Sequence, residues 1–249
     1  MAIPRNFHAS PTLLEGRVIL ITGASGGFGR ALALECARAG ASVILSGRNG
    51  AKLERVYDEI EKLGAPQPAI AVLDLATAQA GDYDRLAESV GTEFGRLDGL
   101  VHAAALLGDR TPLEQYPVPT WCRVLHVNLT APFILTQVLL PWMRKSEDAS
   151  IVLVSSSVVK SARPFWGAYA VSKSGLEAMR GLLAQELDRE AKIRINSINP
   201  GPMRTGMRAA AYPAEDPRTV AEPGAVTGPF LYLLSAEGHG VNGQYFDAQ

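Results

Sequence analysis

Short apolar runs alternate along this chain with longer amphipathic stretches, and no other feature restricts the fold as sharply. The runs at residues 17–22, 42–46, 69–73, 99–102, 150–155, 193–198 and 240–247 are compact, and most are rich in Val, Ile and Leu. That is the pattern of strands buried on both faces. Helical periodicity fills the intervals at 27–39, 51–63, 83–94, 120–143, 166–189 and 222–234. Strand and helix take turns too regularly for an all-helical fold or a sandwich, so the pattern predicts βαβ units. The expected class is α/β, a doubly wound, mainly parallel seven-stranded sheet with helices on both faces. No internal repeat, low-complexity segment or linker interrupts the 249 residues, which predicts one domain, 1–249, with an N-terminal extension over 1–13. Residues 201–221 are the longest stretch without periodicity. A loop that long in a compact domain is usually functional, and it is expected on the substrate side of a site.

Composition removes several classes of function. Hydrophobic residues make up 47% of the chain and the net charge is -1, which leaves ample material for a core and argues against disorder. The basic face of a nucleic-acid binder is absent from the pattern. Cys36 and Cys122 have no Cys or His at zinc-type spacing, so no metal is expected and a reducing compartment fits. The first residues lack the apolar core of a secretion signal, and no run approaches the roughly 20 apolar residues of a membrane span. A cytoplasmic protein with no membrane partner is expected.

Thr22-Gly23-Ala24-Ser25-Gly26-Gly27-Phe28-Gly29 lies between the first strand and the first helix. A Rossmann-type dinucleotide site needs glycine here to turn tightly, to let backbone approach a pyrophosphate, and to let helix and strand pack closely. The helix N-terminus then offers free N–H groups to the phosphates. A glycine-rich turn without a ligand is the competing reading, and the flanking strand and helix favour binding through Gly23, Ser25, Gly27, Phe28 and Gly29. Binders of NAD usually place an acid after the second strand for the ribose 2′-hydroxyl. Here Ser46-Gly47-Arg48-Asn49 has no acid and one arginine, so Arg48 can pair with a 2′-phosphate, helped by Ser46 and Asn49. NADP(H) is expected rather than NAD(H), against the alternative of a solvated turn arginine. Asp74, followed by Leu75, closes the third strand, either as an adenine contact or as a helix N-cap.

A second cluster suits proton transfer to a developing alkoxide. Tyr169 and Lys173 stand four apart in a helical stretch and share a face. A nearby ammonium would lower a phenol whose ordinary pKa is about 10, letting Tyr169 give or take a proton near neutral pH. Such pairs are also common on ordinary helices. Ser156, in the triplet after the fifth strand, could hydrogen-bond a substrate oxygen. Asn128 is a poor helix former inside a helical stretch, which predicts a polar role such as holding water near Lys173. His102 continues a buried strand, and a structural role is favoured over a catalytic one.

In order, Thr22-Gly23-x-x-x-Gly27-x-Gly29, Asp74, Asn128, Ser156, Tyr169-x-x-x-Lys173 and Asn199-Pro200-Gly201 with Thr205 resemble the short-chain dehydrogenase/reductase family, from about residue 14 onward. The resemblance implies an oxidoreductase moving a hydride between nicotinamide and a carbonyl or alcohol carbon. It implies Tyr169 as acid/base, Ser156 as the donor orienting the carbonyl, and Lys173 as binder of the nicotinamide ribose and tuner of Tyr169. Asn128 would complete a proton relay, and Ala104, Pro200, Gly201 and Thr205 would face the cofactor. Arg96-Leu97-Asp98-Gly99-Leu100, Trp166-Gly167-Ala168-Tyr169 and Phe246-Asp247-Ala248-Gln249 are similar to the bacterial YciK-like branch. One segment departs: the family's Asn-Asn-Ala-Gly is His102-Ala103-Ala104-Ala105, so Ala105 replaces a glycine that lets the cofactor approach the backbone.

The residues expected to line the substrate side are Leu106, Leu107, Arg163, Phe165, Trp166, Met203, Met207 and Tyr212, a largely apolar set. They suit a small lipophilic or aromatic carbonyl or alcohol. Arg163 either binds an acidic group or sits on the rim. The two methionines either adapt to varied shapes or pack the loop. Family resemblance implies a homodimer or homotetramer, and the apolar residues on more than one face of 128–143 agree with it. An NADP(H)-binding regulator or scaffold with little turnover is the alternative; it would be marked by loss of Tyr169 or Lys173, and both are present. An isomerase or lyase would need a further acid/base that the sequence does not identify.

Overall fold

A computed structural model of the chain describes residues 3, 4, 7–188 and 192–249. Its strands are β1 (Val18–Thr22), β2 (Ser42–Gly47), β3 (Ala69–Val72), β4 (Gly99–His102), β5 (Ala149–Val154), β6 (Ile193–Asn199) and β7 (Tyr245–Asp247). The α-helices are α1 (Gly27–Arg38), α2 (Gly50–Lys62), α3 (Ala80–Phe94), α4 (Val118–Leu125), α5 (Ala131–Met143), α6 (Gly167–Glu186), α7 (Gly206–Ala211) and α8 (Gly228–Leu234). The strands form one seven-stranded sheet in the order β3-β2-β1-β4-β5-β6-β7, and every pairing is parallel.

The strand alternation of side chains divides the core in two. Ile19 and Ile21 of β1 join the cluster that contains α1, α2 and α8, whereas Val18 and Leu20 join the cluster under α3, α5 and α6. Helices therefore cover both faces, which is why the β1 sequence Val-Ile-Leu-Ile-Thr reads as a continuous apolar run. The helices supply matching stripes, as in α2, where Leu53, Val56 and Ile60 are buried and the charged residues face outward. Strand order reverses between β1 and β4, and in such sheets the crevice beyond the strand C-termini at the reversal is where ligands bind.

Five expectations need correction. The helix over 120–143 is a continuous Val118–Met143 element broken by a π turn at His126–Thr130. That element is long and apolar enough to cross a membrane by length and composition, contrary to the reading that no run approaches this. Here its α5 portion buries Leu135, Leu139 and Met143 in the core, which explains the composition. Residues 201–221 are irregular only in part: Thr205 caps the short α7 by accepting from the Arg208 N–H at 3.2 Å, and Met203 bridges to Ala221. The strand over 240–247 shrinks to Tyr245–Asp247, because Gly240 and Gly243 turn the chain at φ +81° and +66°. The helix over 222–234 starts as a 3-10 turn, Pro223–Val226, before α8.

The expected end of α6 at residue 189 lies outside the described residues. Of the N-terminal extension, Ile3 is buried in the α1–α8 core and Phe7 packs edge-on to Tyr232 at 5.4 Å.

Candidate active site

The loops leaving the C-terminal ends of β1 to β6 enclose a cavity of about 700 Å³. At one end, the turn after β1 is shaped by its glycines. Gly23 has φ +70°, and a Cβ there would meet Ala104 Cα at 2.9 Å; a Cβ on Gly29 would collide with the Gly23 carbonyl. Thr22 Oγ1 accepts from the N–H groups of Ala103 and Ala104 at 3.0 and 3.1 Å, tying this turn to the one after β4. No side chain caps α1 and its first turn has no acid, so its leading N–H groups are left for an anion. Arg48 is exposed on the wall and meets no carboxylate. Asn49 Oδ1 accepts from the Lys52 N–H at 3.0 Å and caps α2, which leaves its Nδ2 as the donor. Asp74 does not cap α3, whose N-cap is Gln79; its Oδ1 accepts from the Ala76 N–H at 3.0 Å in a local turn, leaving Oδ2 without a partner. These features fit a dinucleotide with a 2′-phosphate: a backbone cradle that a Cβ would fill, an uncapped helix and an unpaired guanidinium.

At the other end, β5 delivers Ser156 and α6 delivers Tyr169 and Lys173. Ser156 hydrogen-bonds the Tyr169 phenol. Lys173, 2% exposed, donates to the Val154 carbonyl at 2.6 Å, with its ammonium 5.8 Å from the Tyr169 ring centre. The expectation that this ammonium lowers the phenol is not met. Burial raises the Tyr169 phenol above its ordinary value, and the Ser156 bond only partly opposes it. Lys173 itself is pushed down to about 8 by burial, with Glu177 pulling the other way. Burial is the largest cause for both groups, which lie at the cavity floor.

Asn49 and Phe165, both expected at the site from the sequence, do not line the cavity, and nor does Asn128. It sits buried in the π turn, where Nδ2 donates to the Leu106 carbonyl at 2.9 Å and to Ser172 Oγ at 3.0 Å, while Oδ1 accepts from the Leu106 N–H at 2.7 Å. Its amide thus braces the loop after β4 against α6. His102 is buried against Thr136 Oγ1 at 2.9 Å, and burial with the nearby Lys173 charge lowers it to about 3, so it stays neutral. Ala105 lines the cavity and is absent from the positive-φ residues, so replacing glycine there strains no backbone. Leu106, Arg163, Trp166, Met203 and Met207 form the wall beyond Tyr169, together with Leu107 and Tyr212; Phe165 turns away, 50% exposed.

Several positions escaped the sequence reading. Asp247 accepts from Lys160 Nζ at 2.6 Å and from Asn199 Nδ2 at 2.8 Å, joining the loops after β5 and β6. Gln249 donates to the Pro200 and Pro202 carbonyls at 2.7 and 3.0 Å and lines the cavity. Glu177, one turn beyond Lys173, accepts from Ser155 Oγ at 2.6 Å and Ser197 Oγ at 2.9 Å. None of these pairs is close in sequence, and the Phe246-Asp247-Ala248-Gln249 motif marks Asp247 and Gln249 without revealing their partners.

Fold and cavity together define a Rossmann-type α/β protein whose cavity has a Ser-Tyr-Lys cluster on its polar floor. The short chain dehydrogenase family matches residues 17–216, and the chain belongs to that family, the short-chain dehydrogenase/reductases. It is 42% identical to the oxidoreductase YciK of Escherichia coli K12 over 98% of this chain and 96% of that one. A short chain dehydrogenase structure from Pseudomonas syringae superposes with a TM-score of 0.94 at 49% identity, covering 98% and 99% of the two chains. Another, from Escherichia coli CFT073 and complexed with NADPH, gives 0.93 at 44% identity, covering 96% and 99%. The protein is accordingly an oxidoreductase of this family, similar to its YciK-like members.

Proposed function

We propose that the chain is an NADP(H)-dependent oxidoreductase that interconverts a carbonyl and an alcohol on a small, largely apolar substrate, working as one domain. The observation that carries this is the convergence of Ser156, Tyr169 and Lys173 on the floor of a cavity whose far end is the glycine cradle with Arg48. When bound, NADPH supplies the hydride. Gly23, Ser25, Gly27, Phe28 and Gly29 hold the pyrophosphate, Arg48 takes the 2′-phosphate, and Asp74 and Leu75 contact the adenine. Ala104, Pro200, Gly201 and Thr205 border the nicotinamide side. The buried Tyr169 phenol stays protonated at neutral pH and donates to the carbonyl oxygen, while the Ser156 hydroxyl holds that oxygen with a second bond. Lys173 binds the nicotinamide ribose, and Asn128 keeps Leu106 and α6 in register.

NADPH complexed with the E. coli CFT073 relative supports the cofactor choice. Exposed Val118, Phe133, Val171 and Leu182 on α4, α5 and α6 support assembly as a homodimer or homotetramer, which light scattering tests. The function is tested by titrating the protein with NADPH and NADH side by side and then following reduced cofactor against a panel of aldehydes and ketones. Tight NADPH binding with carbonyl-dependent oxidation is expected. Absence of binding to either cofactor would overturn the reading.

A further inference from the structure

The charge on the cavity wall is unevenly distributed. Among the described residues lining it, Asp74 has the sole acidic side chain, and it follows β3. Arg163 lies between β5 and α6, four strand positions away in the sheet, or about 19 Å at the usual strand spacing. Arg163 is exposed on the cavity lining, and Val158, Trp166 and Met207 pack beside Tyr169 on the same lining. The guanidinium has one weak partner, Ser157 Oγ at 3.5 Å, and no carboxylate. Arg208, also on the cavity lining, is already neutralised by both oxygens of Glu215. Arg110, outside the cavity lining, stacks on the Trp166 ring at 4.3 Å and is held by the Ala211 carbonyl.

The backbone adds an independent sign that this stretch is shaped. Phe165 is the one described non-glycine residue with a left-handed φ, at 69°. Strain of this kind persists where the surroundings enforce it and gathers at functional sites. The turn sends Phe165 toward solvent and leaves Arg163 and Trp166 on the cavity wall, within the segment that joins Ser156 to Tyr169.

We propose that the substrate is an acid: a carbonyl or hydroxy compound with an apolar body and an oxyanion group, carboxylate or phosphate, which Arg163 binds beside Trp166. The inference rests on the oxidoreductase reading above and narrows its substrate class. Arg163 supplies a planar fork suited to two oxygens, Ser157 supplies a further hydroxyl, and no carboxylate competes at that end of the cavity.

The test compares para-carboxybenzaldehyde, para-formylphenyl phosphate and neutral para-tolualdehyde, in the wild type and in Arg163→Ala and Arg163→Lys. Turnover is followed by NADPH oxidation, and binding of benzoate and phenyl phosphate to the protein–NADPH complex by calorimetry. At least one acidic aldehyde is expected to exceed the neutral one in kcat/KM by about tenfold or more. Arg163→Ala levels that preference and weakens the matching anion by a similar factor, Arg163→Lys restores part of it, and NADPH affinity is unchanged in both. Which of the two acids responds distinguishes carboxylate from phosphate. Equal binding of both anions by wild type and Arg163→Ala would overturn the proposal. If no aldehyde is reduced although NADPH binds, the oxidoreductase reading fails instead, and calorimetry still decides whether Arg163 holds an anion.

Discussion

Lys173→Met should make the cofactor-free protein more stable at neutral pH, because the native ammonium is held where water cannot solvate it. Burial lowers Lys173 from 10.5 to about 8. At roughly 1.36 kcal/mol per pH unit, that interval sets the cost of the buried charge at about 3 kcal/mol. Methionine has similar length and suits the apolar surroundings, but it loses the bond from Nζ to the Val154 carbonyl. Leaving that acceptor unpaired costs about 1–2 kcal/mol, so the net gain is about 1–2 kcal/mol near neutral pH.

The sign follows from proton binding. The folded value is depressed, so above about pH 8 the native state releases a proton that the unfolded chain keeps until about 10.5. Wild-type stability therefore rises through that window, and the advantage of Lys173→Met shrinks and then reverses. Urea unfolding followed by tryptophan fluorescence across this range measures the difference directly, because other titrating groups are common to both proteins. A variant less stable than wild type by a margin that does not change with pH would refute the reasoning. The expected result would mean that the site carries a stability cost for its chemistry.

Arg48→Ala should weaken NADPH about tenfold while leaving NADH within about twofold, since the exposed guanidinium meets no carboxylate of the protein; equal losses in paired fluorescence titrations would remove the 2′-phosphate assignment. Asp247→Ala releases Lys160 and Asn199 together and should raise the Kd for NADPH by roughly three- to tenfold, with only a small change in Tm. An unchanged Kd would mean the two loops hold without it. Burial alone would raise the Asp148 carboxyl, but Arg194 and Arg17 hold it below the usual carboxylate range. Its contribution is therefore present at neutral pH and lost as pH falls through the lowered value. Asp148→Asn should cost about 2–3 kcal/mol at neutral pH by stripping the buried Arg194 of its counter-charge. Thermal denaturation should show that gap closing in acid, and a gap independent of pH would contradict the ion-pair account.

The strand and helix alternation was legible because a sheet covered on both faces turns burial into continuous apolar runs such as Val18–Thr22. The site was legible where motif residues leave strand ends in sequence, as with the glycine turn after β1 and Arg48 after β2. Hydropathy could not locate the turns at Gly240 and Gly243, whose cause is a backbone angle. Nor could a 3.6-residue period reveal the π turn that carries Asn128. The ties from Asp247 to Lys160 and Asn199, and from Glu177 to Ser155 and Ser197, exist because the register of β5, β6 and β7 brings distant residues level. The phenol shift of Tyr169 was misjudged from spacing alone: a lysine four residues away reports proximity, whereas the winning effect is depth in the cavity.

The most direct test of the account is Tyr169→Phe, measured for NADPH affinity by fluorescence titration and for carbonyl-dependent NADPH oxidation in the same preparation. The account predicts affinity within about twofold of wild type and turnover lower by at least about a hundredfold, since only the proton donor has been removed. A variant that binds NADPH and reduces the carbonyl at the wild-type rate would contradict it.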